Sequence, residues 1–185
     1  MSDDTKKPGG SRAVSGGDPG ADDVAAWFAR ARVAHCQGNL LEAQSCGERV
    51  LRSRPNHPDA LNFLGILQQE RGQSTQAEQL FRRAIRAAPG HASAYTNLGN
   101  VLIAQQRHEE AIATYRQAII FKPDEVEACA NLGASLKMLG RLPEALEVYR
   151  SAGERLPGNP EIHYRLGVLL AELERTEEAR AALRV

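Results

Sequence analysis

The stretch ASAYTNLGNVLIAQQRHEEAIATYRQAIIFKPDE, residues 92–125, decides the fold. Tyr95, Leu98, Gly99 and Leu102 stand at i, i+3, i+4 and i+7. After a break at Gln106-Arg107, Ala111, Tyr115 and Ala118 stand at i, i+4 and i+7, and Pro123 closes the unit. Each set is one face of a 3.6-residue helix, so the stretch is a helical hairpin with two apolar stripes. Neither helix can bury its stripe alone, and a hairpin this short is marginal in water. It requires neighbours of its own kind.

The rest of the chain supplies them. Pro55, Pro89, Pro123 and Pro157 are 34 residues apart, and so are Ala43, Ala77, Ala111, Ala145 and Ala179. The pairs Leu64-Gly65, Leu98-Gly99, Leu132-Gly133 and Leu166-Gly167 keep the same step, as do Phe81, Tyr115 and Tyr149. Several independent columns locked to one period signal stacked supersecondary units, each touching only its neighbours. These columns resemble the tetratricopeptide repeat (TPR) family over Val24 to Val185. The resemblance implies an all-α, right-handed superhelical solenoid of antiparallel helix pairs. Its repeats are expected at 24–57, 58–91, 92–125 and 126–159, with a truncated fifth at 160–185, behind a disordered tail over 1–23.

The tail is rich in Gly, Ser, Asp and Pro and has little apolar surface to offset the entropy of ordering. The first repeat is the least regular: Arg30-Ala31 replaces the Leu-Gly pair and Gly47 the aromatic, as suits a terminal unit with one face in water. The second has Gln68 where a large apolar residue belongs, and Thr75-Gln76-Ala77-Glu78 reads as a capping box. Gly72 and Gly140 end leading helices, while Pro58 and Pro143 fall in first turns where a missing N–H costs nothing. The fifth repeat stops before its closing proline, so Leu170, Leu173 and Leu183 are expected to leave an open apolar edge. That edge suits a fragment of a longer protein, or self-association through the C-terminal end.

Composition excludes several functions. Lys+Arg and Asp+Glu both total 23, which argues against a nucleic-acid binder. No apolar run approaches a membrane span, and the start lacks a secretory signal, so a cytoplasmic location is the default. The cysteines Cys36, Cys46 and Cys129 read as packed thiols rather than a disulfide framework. His35 beside Cys36 falls short of the three or four ligands a metal needs.

No catalytic, cofactor or metal motif stands out, so the chain is expected to be no enzyme and to need no cofactor. Among the histidines, His57 and His91 share one column on the turns after the prolines, His108 starts a helix and His163 fills a core column. Glu109-Glu110 and Glu177-Glu178 favour the N-terminal ends of second helices.

In TPR arrays the leading helices line a concave groove. The repeat frame places Arg32, His35, Asp59, Asn62, Ile66, Gln69, Glu70, Thr96, Asn97, Asn100, Ile103, Glu127, Asn131, Lys137, Met138, Glu161, Tyr164, Arg165 and Glu172 on that side. The expected peptide-binding residues are Asn62, Asn97, Asn100, Asn131, Lys137, Tyr164 and Arg165. Asn97 and Asn131 share a column, and an amide can grip a peptide main chain through donor and acceptor together. This resembles the asparagine ladder in the TPR region of O-linked N-acetylglucosamine transferases. Asn100, Asn131 and Arg165 also match part of the two-carboxylate clamp of chaperone-binding TPR domains, but Thr96 and Glu161 replace its lysines. The groove counts five acids (Asp59, Glu70, Glu127, Glu161, Glu172) against three bases (Arg32, Lys137, Arg165), which favours a neutral or basic segment. The resemblance leads to a protein–protein interaction scaffold holding a peptide or helix. The alternative is the recognition arm of a larger glycosyl-, sulfo- or methyltransferase, as in bacterial proteins where similar repeats precede such domains.

Overall fold

The computed structural model describes Gly20 and residues 23–184. The expected disordered tail therefore falls almost wholly outside the described residues. Ten helices and no strand occur among those described. The leading helices are α1 (Val24–Cys36), α3 (Pro58–Glu70), α5 (Ala92–Ala104), α7 (Val126–Met138) and α9 (Pro160–Glu172). The second helices are α2 (Leu40–Ser53), α4 (Ser74–Ala87), α6 (His108–Phe121), α8 (Leu142–Arg155) and α10 (Thr176–Ala182). Each helix packs on the one before it and the one after it. The result is an all-α solenoid of helix pairs.

One column of side chains starts the leading helices. Asp23 Oδ1 accepts from the Ala26 N–H at 3.0 Å and Asn159 Oδ1 from Ile162 at 3.1 Å. In the same column His57 Nδ1 accepts from Ala60 at 3.3 Å and His91 Nδ1 from Ala94 at 3.2 Å. These two histidines are half-buried caps rather than bystanders on an exposed turn, because an unprotonated ring nitrogen can satisfy an N-terminal N–H as an Asp oxygen does. The capping box at Thr75 does not form: α4 starts one residue earlier, at Ser74, without a side-chain cap. Glu78, free of that duty, accepts instead from Arg82 and Arg107.

The turn inside each hairpin needs one left-handed residue. Glycine fills it at Gly38 (φ +75°), Gly72 (φ +74°) and Gly140 (φ +73°). Gln106 (φ 62°) and Glu174 (φ 57°) occupy the same column with a Cβ, in a region L-residues visit at a cost.

Small residues let the paired helices close. Ala43, Ala77, Ala111 and Ala145 are fully buried. A Cβ added at Gly65 would lie 2.5 Å from Phe81 Cε1, and at Gly99 and Gly133 it would drive into the rings of Tyr115 and Tyr149. Leu183 continues the aromatic column and covers Gly167 yet stays 53% exposed, whereas Leu170 and Leu173, expected on the same open edge, are buried and half-buried. In the first unit the roles exchange: Gly47 takes the aromatic position and Leu64 of α3 fills the space above it. Arg30, at a nominal core position, turns out to Glu42 at 2.7 Å and lies beside the Trp27 ring. Gln68 is half-buried, and its Oε1 finds no hydrogen-bond partner among the described residues. Each buried Leu or aromatic contributes about 1.5–3 kcal/mol.

Two apolar groups dominate the interior, bridged at α3–α5 by Leu61, Ala84 and Ala94. One core joins Val24, Trp27, Cys46, Val50, Phe63, Leu64 and Leu67 of α1–α3. A longer one runs from Phe81 on α4 to Ala179 and Ala182 on α10.

A ladder of ion pairs follows the second helices. Arg82–Glu110 (3.8 Å), Arg116–Glu144 (2.8 Å) and Arg150–Glu178 (2.6 Å) link successive repeats in one register. Arg107, Arg141 and Arg175 precede their helices and clasp Glu110, Glu144 and Glu178. Arg107 and Arg141 also reach back to Glu78 (2.9 Å) and Glu109 (3.0 Å). Singly such exposed pairs are worth about 0–1 kcal/mol, but a network shares charges across every joint.

Candidate functional site

From α3 onward each leading helix packs closely on the next leading helix, whereas the second helices are bridged by the long side chains of the ion-pair ladder. The array therefore curves towards its leading helices, and their outward residues line the inner surface.

Asparagines occupy the middle of that surface, and they bind one another. Asn97 Nδ2 donates to Asn62 Oδ1 at 3.0 Å, and Asn131 Nδ2 donates to Asn100 Oδ1 at 2.8 Å. Asn100 Nδ2 donates to Glu127 at 2.9 Å. The Tyr115 hydroxyl, rising from the core beneath Gly99, donates to Asn100 Oδ1 at 2.7 Å. Burial first, and then the charge of Glu127, pushes the Tyr115 phenol well above the ordinary tyrosine range, so it remains a donor. All four asparagines are half-buried, and Tyr115 fixes Asn100 from behind. Each amide has more hydrogen-bonding capacity than these contacts use, so Asn97 Oδ1 and Asn131 Oδ1 can still accept from a ligand N–H.

The inner surface differs from the expected one at Thr96. Thr96 is 1% exposed and its Oγ1 donates to the Ala92 carbonyl, so it is part of the wall and not of the lining. A 34-residue frame assigns a helix face, and a residue at the edge of that face is turned in or out by its neighbours. Four of the five acids on this surface meet a basic or imidazole neighbour. Glu70 meets His35 Nε2 at 2.9 Å, Asp59 meets His91 at 3.1 Å, Glu172 meets Lys137 at 2.5 Å and Glu161 meets Arg165 at 2.8 Å. Glu127 is left with the Asn100 amide.

The structure gathers the seven expected site residues into two groups. Asn62, Asn97, Asn100 and Asn131 form the linked amides just described. Lys137, Tyr164 and Arg165 line a cleft of about 360 Å³ with Met138 and Val168. Tyr164 (63%) and Met138 (57%) are its exposed apolar surface. A further cleft, of about 460 Å³, lies at the N-terminal end and is lined by Phe28, Arg32, His35, Phe63 and Ile66 among others. Phe28 and His35 both meet the Phe63 ring edge-on, at 5.9 and 5.6 Å. Phe28 and Phe63 share the outward columns of Asn62 and Asn97, so the aromatic floor takes the place of the amides in the first repeats.

No three His, Cys, Asp or Glu side chains converge as a metal site among the described residues. Cys46 and Cys129 are buried, and burial raises the Cys129 thiol above its ordinary range, which makes it a packing group; Cys36, expected to pack as well, is exposed at the end of α1. No described helix is long and apolar enough to cross a membrane.

The fold and the inner surface define a class, the α-helical repeat solenoids. Within it the assignment is direct: tetratricopeptide repeat profiles match residues 22–90, 64–126 and 137–185, and the chain belongs to the tetratricopeptide repeat family. Among solved structures it is similar to pilF of Pseudomonas aeruginosa, with 22% identity, TM-score 0.79, 89% of this chain and 75% of that chain. It is similar to YrrB, described as a TPR protein with an unusual peptide-binding site, with 23% identity, TM-score 0.66, 88% of this chain and 84% of that one. It also resembles an O-GlcNAc transferase mutant of Thermobaculum terrenum, at 30% identity and TM-score 0.66, over 71% of this chain but 26% of that chain. No curated protein matches in sequence.

Proposed function

We propose that this chain is a non-catalytic protein–protein interaction scaffold, acting in the cytoplasm, that holds an extended peptide or a helix along its inner surface. The observation that carries this reading is the two amide pairs Asn62–Asn97 and Asn100–Asn131, the second held from behind by Tyr115, with oxygens still able to accept from a main chain. Amides fixed before a ligand arrives lose little freedom on binding it. The similarity to YrrB, whose description names a peptide-binding site, points the same way. The test is retention from a displayed peptide library, comparing the wild type with Asn97→Ala/Asn131→Ala. The double variant is expected to fold normally and lose its ligands; undiminished retention by a folded variant removes the groove from the reading.

The O-GlcNAc transferase similarity supports a second reading, in which the array is the substrate-choosing arm of a larger transferase. An in-frame catalytic domain after Val185 in the gene would favour it.

A further inference from the structure

The joints between leading helices reuse the same columns with different chemistry. At the α3–α5 joint Asn97 donates to Asn62. One repeat earlier those two columns hold Phe28 and Phe63, whose rings meet edge-on at 5.9 Å in the N-terminal cleft. One repeat beyond the Asn100–Asn131 pair, Ala134 stands in the column of Asn100, and the exposed Met138 and Tyr164 line the C-terminal cleft beside it. The inner surface is thus apolar at both ends, with amides between. Both ends are also balanced in charge. Lys137 meets Glu172 and Arg165 meets Glu161 at one, while at the other Glu70 meets His35, and Asp59 meets His91 and shares the cleft with Arg32. A cleft with apolar walls and matched charges favours an uncharged apolar side chain.

We propose that the ligand of this surface is an extended, uncharged segment with two apolar side chains about eight residues apart, one seated in each cleft. The proposal rests on the reading of the inner surface as a peptide site, and it names the chemistry and the spacing of the partner. The spacing follows from the repeat. Three repeats separate the α1–α3 joint from the α7–α9 joint. Packed helices lie about 8–10 Å apart, so the clefts are about 24–30 Å apart. An extended chain rises about 3.3 Å per residue and spans that distance in about seven to nine residues. A separation of about eight, being even, also puts both side chains on one face of the strand. A helix would need about 16–20 residues at about 1.5 Å each, and its own N–H groups are spent on its carbonyls. The acceptors left on Asn97 and Asn131 would then meet no main-chain donor, which favours the extended form.

The test uses the full chain and fluorescein-labelled synthetic peptides with a Gly-Ser background. They carry one Leu, or two Leu separated by about four, eight or eighteen positions, the last matching five helical turns. Fluorescence anisotropy is expected to rank the spacing of eight first, about tenfold or more tighter than the single Leu, as one further buried apolar side chain implies. The spacing of four should bind like the single Leu, because its second side chain cannot reach the other cleft. Met138→Ser/Tyr164→Ser, at two exposed positions, should remove the advantage of the second Leu. On the wild type, a benzophenone side chain in place of either Leu should crosslink to α1 or α3 from one position and to α7 or α9 from the other. Equal binding at all spacings, a preference for eighteen, or crosslinks from both positions to a single cleft overturns the proposal. Asn97→Ala/Asn131→Ala separates the two readings. Loss of all peptides by that variant, with no effect of spacing on the wild type, keeps the groove amides and sinks the paired clefts. A spacing preference and both crosslinks that survive the variant keep the clefts and sink the amides, and binding of no peptide sinks both.

Discussion

The hydroxyl of Tyr115 on α6 donates to Asn100 Oδ1 on α5 at 2.7 Å, so the side chain that seals the core beneath Gly99 also holds the inner surface. Phe81, one repeat earlier, fills the same column without a hydroxyl. Tyr115→Phe should therefore keep the packing and remove one hydrogen bond, a loss of about 1 kcal/mol in urea unfolding. Peptide affinity should fall with it, because Asn100 loses its donor from behind. A variant with unchanged affinity would mean that the Asn100 amide does not need that anchor.

Gly99 and Ala111 face each other's helices where no larger side chain fits. Gly99→Leu or Ala111→Leu should each cost at least about 1–3 kcal/mol by overpacking, with Tyr115 displaced, and melt several degrees lower. Coincident melting curves for both variants and the wild type would contradict the close crossing of α5 and α6.

The left-handed turn column contains its own control. Gln106→Gly and Glu174→Gly should each stabilise the chain, by up to about 1 kcal/mol, since φ is already positive there and glycine relieves the Cβ contact. Gly140→Ala should cost a similar amount. Chemical denaturation of the three variants checks sign and size together.

The ion-pair ladder predicts an acid response. Hydrogen bonds from Arg107 hold the Glu110 carboxyl below its ordinary 4.5, and Arg141 and Arg175 do the same for Glu144 and Glu178. At Glu78 burial pushes upward, but Arg82 and Arg107 outweigh it and the carboxyl again stays low. A carboxyl lowered in the folded state contributes its full stabilisation above the unfolded value and loses it as pH falls through the folded one. Urea midpoints should thus be insensitive to these groups at neutral pH and drop below about pH 4.5. Arg107→Ala should flatten that drop, and so should high salt.

The sequence made the helix pairs, the small-residue crossings and the general position of the inner surface legible, because each repeats as a column and packing allows little choice of side chain. Gly133 and Ala145 are buried as their columns require. What lay between columns was hidden. Nothing in the residue types marks His57 and His91 as helix caps, since a histidine caps only when its ring turns back to its own N3 amide. The capping motif at Thr75 lost to an earlier helix start, and Thr96 lay at the border of a face. Pairings such as His35 with Glu70 join residues 35 apart and depend on the offset between neighbouring helices.

The two main apolar groups of the interior meet between α3 and α4, where Gly65 lies against Phe81 and Leu61, Ala84 and Ala94 bridge α3 to α5. Phe28 and Phe63 bring the N-terminal cleft onto the first of these groups, and Phe28 belongs to the end hairpin itself. A guest clasped there would act as a latch on the array's outermost hairpin, slowing its opening and raising amide protection in α1 and α2 ahead of the rest. Recognition and end-fraying would then be two readings of a single equilibrium, so that a looser first hairpin releases its guest sooner.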